Sequence, residues 1–238
     1  MQVRRSADQG HADHGWLKSQ HTFSFAGYMD PEFMQFGVLR VINQDQVQAG
    51  QGFGTHGHKD MEIVSYVLDG VLEHKDSMGN GAQMRPGEVQ LMSAGSGVTH
   101  SEFNGSQEDP LHFLQMWVFP RTQGTPPRYE QREFSEAERT GKLRLVVSPD
   151  GENGALTIDQ DARMYVSTVP NGDRFEHAIA DDRAAWIHVA RGSVRVNGEV
   201  LEAGDGAALR DEAQLTIEGV ADAELVLWEV PGDLETAQ

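Results

Sequence analysis

The sequence predicts an all-β protein built as two tandem jelly-roll barrels with short peripheral helices. Three observations carry that expectation. Val, Ile, Leu and aromatic residues fall in short runs separated by turn signals, the spacing of a sandwich or barrel. The 238 residues include 26 glycines and 9 prolines and no apolar run long enough to span a bilayer, which describes a turn-rich chain. The second half also repeats the pattern of the first, so one architecture is expected twice.

From its beginning, the chain shows no apolar stretch of the signal-peptide kind, and Arg4-Arg5 is followed by none, so a cytoplasmic location is expected. The absence of cysteine excludes disulfides, thiol catalysis and thiolate metal sites, and agrees with a reducing compartment. Net charge is −18, from 19 Lys plus Arg against 37 Asp plus Glu, dispersed and without a basic patch. Phosphate backbones and anionic lipid would repel such a surface, so neither nucleic acid nor membrane is an expected partner. Residues 8–28 carry His11, His14 and His21 among glycines and aromatics. With no helix to align them they are expected in a loop packed over the barrel, leading into a short strand at 22–25, and not as ligands.

Strands are expected at 37–43, 61–68, 71–75, 88–92 and 111–119, with reversals at Asp69-Gly70, at 78–81 and at Pro86-Gly87. Between them lie two pairs of candidate ligands, His56-x-His58 and His100-x-Glu102. Residues two apart on a strand share a face, so each pair can aim both side chains at one point. The pairs are distant in sequence, and only a fold that returns the chain to the same mouth brings them together. A jelly roll does so. Three imidazoles and a carboxylate suit Fe, Mn, Ni, Cu or Zn, and an octahedral ion held by four groups keeps two open positions. Gly50, Gly52 and Gly54 let the chain turn tightly before the first pair.

Residues 120–128 hold three prolines and form the expected linker between a domain of residues 1–125 and one of residues 126–238. A short surface helix is expected over 130–140, with Ser135 as N-cap. The β pattern resumes at 143–148, 164–169, 175–179, 186–189, 193–196, 214–218 and 224–229, with Asn197-Gly198 as a hairpin turn. Residues 186–194 parallel 63–72, Ala203-Gly204-Asp205-Gly206 parallels Pro86-Gly87-Glu88-Val89, and 227–231 echoes 116–120. No His-x-His occurs there, so the second domain is expected to be degenerate and metal-free, with His177 and His188 in packing or surface roles.

Gly50, His56, His58 and Glu62, followed by Pro86-Gly87-Glu88-Val89 and by His100 with Asn104, resemble the paired motifs of the cupin superfamily. With 10–16, 21–25, 73–77 and 92–102 added, the chain resembles the pirin family, and most of all its bacterial quercetin 2,3-dioxygenase-like members. That resemblance implies a bicupin fold and makes His56, His58, His100 and Glu102 the metal ligands. Gly57 departs from it, standing where the family usually has proline, and leaves the ligand strand less constrained.

The implied activity is O2-dependent cleavage of a flavonol such as quercetin with release of carbon monoxide. Fe(II) is the expected ion, with Cu, Ni, Mn, Co or Zn as alternatives. Glu102 is the expected catalytic base, taking the proton of the substrate's enol hydroxyl. The expected partners are a small flavonol-like aromatic and O2, and the chain is taken as a monomer. The alternative is a redox-responsive regulatory protein that acts through protein partners; an isomerase or sugar-binding cupin ranks third. Glu62, which many cupins use as a ligand, is expected to be an acceptor behind the site or an ion-pair partner. His74 and His112 are expected in ordinary core or surface roles, and Phe53 either lines the site's mouth or packs in a loop.

Overall fold

The computed structural model describes residues 1–233. Twelve strands occupy the first half: β1 (Gln2–Arg4), β2 (Gly10–Asp13), β3 (Leu17–His21), β4 (Leu39–Val47), β5 (Gly52–His58), β6 (Glu62–Asp69), β7 (Leu72–Asp76), β8 (Gly81–Met84), β9 (Glu88–Ser93), β10 (Val98–Asn104), β11 (Leu111–Val118) and β12 (Arg128–Glu133). Seven of them form one sheet in the order β12-β9-β6-β11-β4-β3-β2, and four form a second in the order β5-β10-β7-β8. The two sheets close on each other through Leu17, Val47, Val67, Leu72, Met84, Leu111 and Phe113.

After the helix α1 (Glu136–Arg139) come β13 (Arg144–Ser148), β14 (Leu156–Thr157), β15 (Arg163–Val169), β16 (Arg174–Ala178), β17 (Arg183–Val196), β18 (Glu199–Glu202), β19 (Gly206–Leu209) and β20 (Gln214–Pro231). These make the second sheet system, in which β17 and β20 are long enough to bend through bulges and each absorb two of the expected strands. The protein is therefore all-β, with two β-barrel units in tandem. Among the described residues, no helix is long and apolar enough to cross a membrane.

The halves are interlocked. Strand β1 joins the second sheet system by pairing with β19, whereas β12, beyond the proline-rich segment, extends the first sheet beside β9. The seven-stranded sheet is consequently covered on both faces, which explains why β6 reads as a nearly unbroken apolar run. Its outer face packs Ile42, Val64, Tyr66, Leu114 and Met116 against Val166, Trp186, Val226 and Trp228 of the second half. Full burial of each such side chain contributes roughly 1.5–3 kcal/mol, so this face anchors the sheet and leaves the inner face free for chemistry. Polar contacts cross the same boundary: Trp228 Nε1 donates to Met116 Sδ at 3.2 Å, and Arg139 pairs with Glu224 at 3.2 Å beside the Tyr66 hydroxyl.

Two local expectations are corrected. Residues 22–25 are not a strand. The strand is β3, paired with β4 from Leu17↔Val47 to His21↔Asn43, after which the chain turns away through a tight bridge between Phe25 and Tyr28. Residues 130–133 are not helical either, because their backbone pairs along β9 as a polar edge strand; the helix starts only at Glu136, with Ser135 and Glu138 forming a capping box.

Candidate metal centre

Pairing of β5 with β10 places His56 directly opposite His100 and His58 opposite Val98. The alternation expected from sequence then turns the three imidazoles inward. Ring centroids lie 4.8 Å apart for His56–His58, 4.5 Å for His56–His100 and 4.8 Å for His58–His100, and one nitrogen from each falls within 4.8 Å of the others. The register shift between His100 and Glu102 places the extra residue in β5, between Phe53 and His56, while β10 runs regularly along β7, so His100 and Glu102 keep one face. Gly52 permits the close pairing of β5 with β10: a Cβ there would lie 2.3 Å from the Glu102 carbonyl oxygen. Gly57 pairs with Thr99, so the ladder supplies the extended conformation that the residue does not impose.

Glu102 is met by one row of polar side chains on the inner face of the seven-stranded sheet. His21, Asn43, Gln115, Ser65 and Gln90 are successive cross-strand neighbours on β3, β4, β11, β6 and β9. From that row Gln115 Nε2 donates to Glu102 Oε2 at 2.6 Å and Ser65 Oγ donates to Oε1 at 3.2 Å. Burial nevertheless dominates and pushes the Glu102 carboxyl up to about 7. The expected ligands thus converge in two overlapping groups, His56 with His58 and His100, and Glu102 with His100 and His74.

His74, expected in an ordinary core or surface role, is fully buried and stands in one group with His100 and Glu102. Its ring is 5.4 Å from that of His100 and stacks on Tyr129 at 4.8 Å. Nε2 lies 3.1 Å from Asp76 Oδ2, and Gln90 Nε2 donates to Nδ1 at 3.4 Å. The signal for it was non-local: the register of β7 against β10 sets His74 opposite Glu102.

A cavity of about 790 Å3 opens onto the centre, walled by Trp16, Phe25, Phe53 and Trp117 beside His56 and His58. Phe53 therefore lines the mouth, and it also packs edge-on against Trp16 at 5.2 Å. His11, His14 and His21 face the same cavity without belonging to any metal-capable group among the described residues. His11 Nε2 is 2.9 Å from the Ser6 carbonyl oxygen, and His21 Nδ1 is 2.9 Å from Asn43 Oδ1. Glu62 is buried but lies outside the centre, accepting from Ser93 Oγ at 2.8 Å. His112 and His188 meet through Gln44 at the boundary between the halves, and His177 pairs with Glu229. Both C-terminal histidines are in packing roles.

The residues fit a divalent ion. Burial lowers His58 to about 4 and His100 to about 3, with neighbouring imidazoles adding to the effect, so both are neutral as ligands must be. His56 Nδ1 lies 2.8 Å from the Gly54 carbonyl oxygen, which fixes the tautomer and leaves the Nε2 lone pair facing His100 Nε2 at 3.0 Å. His100 Nδ1 is buried with no hydrogen-bond partner among the described residues. Two ring nitrogens turned on each other beside a carboxyl form a donor set that a cation would satisfy.

Comparison with known proteins identifies the family. The family model described as Pirin matches residues 1–118, and that described as the quercetinase C-terminal cupin domain matches residues 145–230. A quercetin 2,3-dioxygenase of Escherichia coli (strain K12) is 49% identical over 229 residues, covering 96% of this chain and 98% of that protein. A pirin-like protein of Caulobacter vibrioides is 44% identical over 219 residues, 92% of this chain and 94% of its own. The crystal structure of the bacterial pirin YhhW from Escherichia coli in complex with nickel(II) superposes with a TM-score of 0.91 at 48% identity, covering 96% of this chain and 98% of that one.

Proposed function

The chain belongs to the pirin family, and we propose that it is a metal-dependent dioxygenase that uses O2 to cleave flavonols such as quercetin. The observation that carries this reading is the convergence of His56 and His58 with His100, and of His100 with Glu102, beside an aromatic-walled cavity that His56 and His58 line. The name of the Escherichia coli relative and the nickel(II) in the YhhW structure support it.

His56, His58, His100 and Glu102 are the proposed ligands, and Fe(II) the proposed ion, with Ni, Cu, Mn, Co and Zn as the alternatives this donor set accepts. Bound there, a divalent ion would supply Lewis acidity to the substrate's enol hydroxyl and coordination positions open to O2. The protein supplies the rest. Trp16, Phe25, Phe53 and Trp117 hold flat rings and exclude water. Glu102 takes the enol proton, its carboxyl held in place by Gln115 and Ser65. Gly54, through its carbonyl, keeps His56 in the tautomer that a ligand needs.

We place the cellular role in turnover more than in regulation through protein partners, because a cavity of about 790 Å3 has the dimensions of a small-molecule site. We also propose that residues 1–125 carry the centre and residues 126–238 support it, in a cytoplasmic protein. The test is oxygen uptake with carbon monoxide release when metal-loaded protein meets quercetin. Neither gas changing with any ion of the series would sink the reading, and elemental analysis of protein purified without chelators identifies the native ion.

A further inference from the structure

Asp45 lies on β4 two residues beyond Asn43, on the face that lines the cavity. It is only 2% exposed. One hydrogen bond reaches it, from Ser19 Oγ to Oδ1; among the described residues none reaches Oδ2 and no cation pairs with it. The neighbouring polar groups are committed elsewhere: His21 to Asn43, and Gln115 to Glu102. Its neighbours on the same strand face are Asn43, which also lines the cavity, and Val47, which packs into the core. A buried carboxyl with so little compensation is costly, and a ligand that donates to it removes that cost. The surrounding wall of Trp16, Phe25, Phe53 and Trp117 binds flat rings but cannot distinguish hydroxylated from bare ones.

We propose that Asp45, with Ser19, is a specificity site that accepts a hydrogen bond from a second ring hydroxyl of the substrate, one remote from the hydroxyl that reacts. The protein thereby selects polyhydroxylated aromatics over those bearing a single hydroxyl. This deepens the flavonol reading and rests on it. Glu102 and Asp45 then divide the two ends of one ligand, with Gln115 of the cavity wall held on Glu102 and Ser19 held on Asp45. A phenol donating to a carboxylate makes a charge-assisted bond, whereas an analogue lacking the hydroxyl leaves the carboxyl covered and unpaired.

The test compares quercetin with 3-hydroxyflavone, which carries only the reacting hydroxyl, on metal-loaded wild type, Asp45→Asn and Asp45→Leu. The readout is the ratio of the two kcat/KM values within each protein, because a ratio cancels any loss of folded enzyme. Wild type is expected to favour quercetin by about 10- to 100-fold, Asp45→Asn to show a smaller ratio, and Asp45→Leu to abolish the preference. A wild-type ratio near one, or a ratio unchanged in Asp45→Asn, overturns the proposal. Anaerobic binding of both compounds, followed by quenching of tryptophan fluorescence, reports the same ratio without chemistry. Absence of turnover with an intact binding preference would therefore count against the dioxygenase reading alone.

Discussion

The inner faces of the two barrels carry opposite chemistry on one architecture. In the first half, His21, Asn43, Gln115, Ser65 and Gln90 run as a polar row across the sheet toward Glu102 and His74. In the second, Val169, Ile187, Val189, Val194, Ile217, Leu225 and Leu227 fill the corresponding space with aliphatic side chains. Among the described residues, the metal-capable groups lie in the first barrel, and the second is packed through its interior with apolar side chains. Where the interior is given to a site, stability is drawn from the outer face, packed against the other half.

That comparison can be broken in graded ways. The largest effect is expected from His100→Ala, which removes a group shared by both ligand clusters: metal content by elemental analysis and quercetin turnover should both fall to background. Turnover that survives metal loss would separate the centre from the activity. Glu102→Gln should retain the fold and lower kcat by about 10²–10⁴-fold, and full activity in this variant would end the base assignment. In the apolar interior of the second half, Ile187→Ala should reduce unfolding free energy by about 2–5 kcal/mol in urea titrations while leaving kcat of the folded fraction unchanged. Gln115→Leu, which frees Glu102 Oε2 from its donor, should weaken metal affinity by about 10–100-fold with little change in thermal stability, measured by competition with a chelator.

The smallest effect concerns the boundary between the halves. His188 is fully buried and donates to Gln44 Oε1 at 2.8 Å; burial lowers it from 6.5 to about 4. The unfolded ring takes up a proton before the folded one does. Stability is therefore complete above about pH 6.5 and declines as the pH falls toward 4, by about 1–3 kcal/mol for this group. Urea unfolding of wild type and His188→Gln at pH 7 and pH 4.5 checks this, the variant being expected to lose less on acidification. Equal losses in both would remove His188 from the account.

Much of this was legible before the structure. Strict alternation in two strands was enough to pair His56 with His58 and His100 with Glu102, and turn residues marked most strands between 37 and 119. What escaped detection depended on partners distant in sequence. His74 has no local companion, and only the register of β7 on β10 brings it to Glu102. Strands β2 and β3, reading Gly-His-Ala-Asp and Leu-Lys-Ser-Gln-His, lack β-branched residues, because their inward positions serve the cavity instead of a core. The polar β12 reads as helix or coil since an edge strand needs no apolar face.

The exchange of β1 into the far sheet sets the order of assembly. Gln2, Val3 and Arg4 must wait for Ala208, Ala207 and Gly206, about two hundred residues downstream in synthesis, before their backbone groups find the ladder. The leading segment of this chain is thus among the last to dock. Severing the chain between its halves would take β1 from the edge beside β19 and β12 from the edge beside β9, leaving each sheet with an open seam where a borrowed strand belongs.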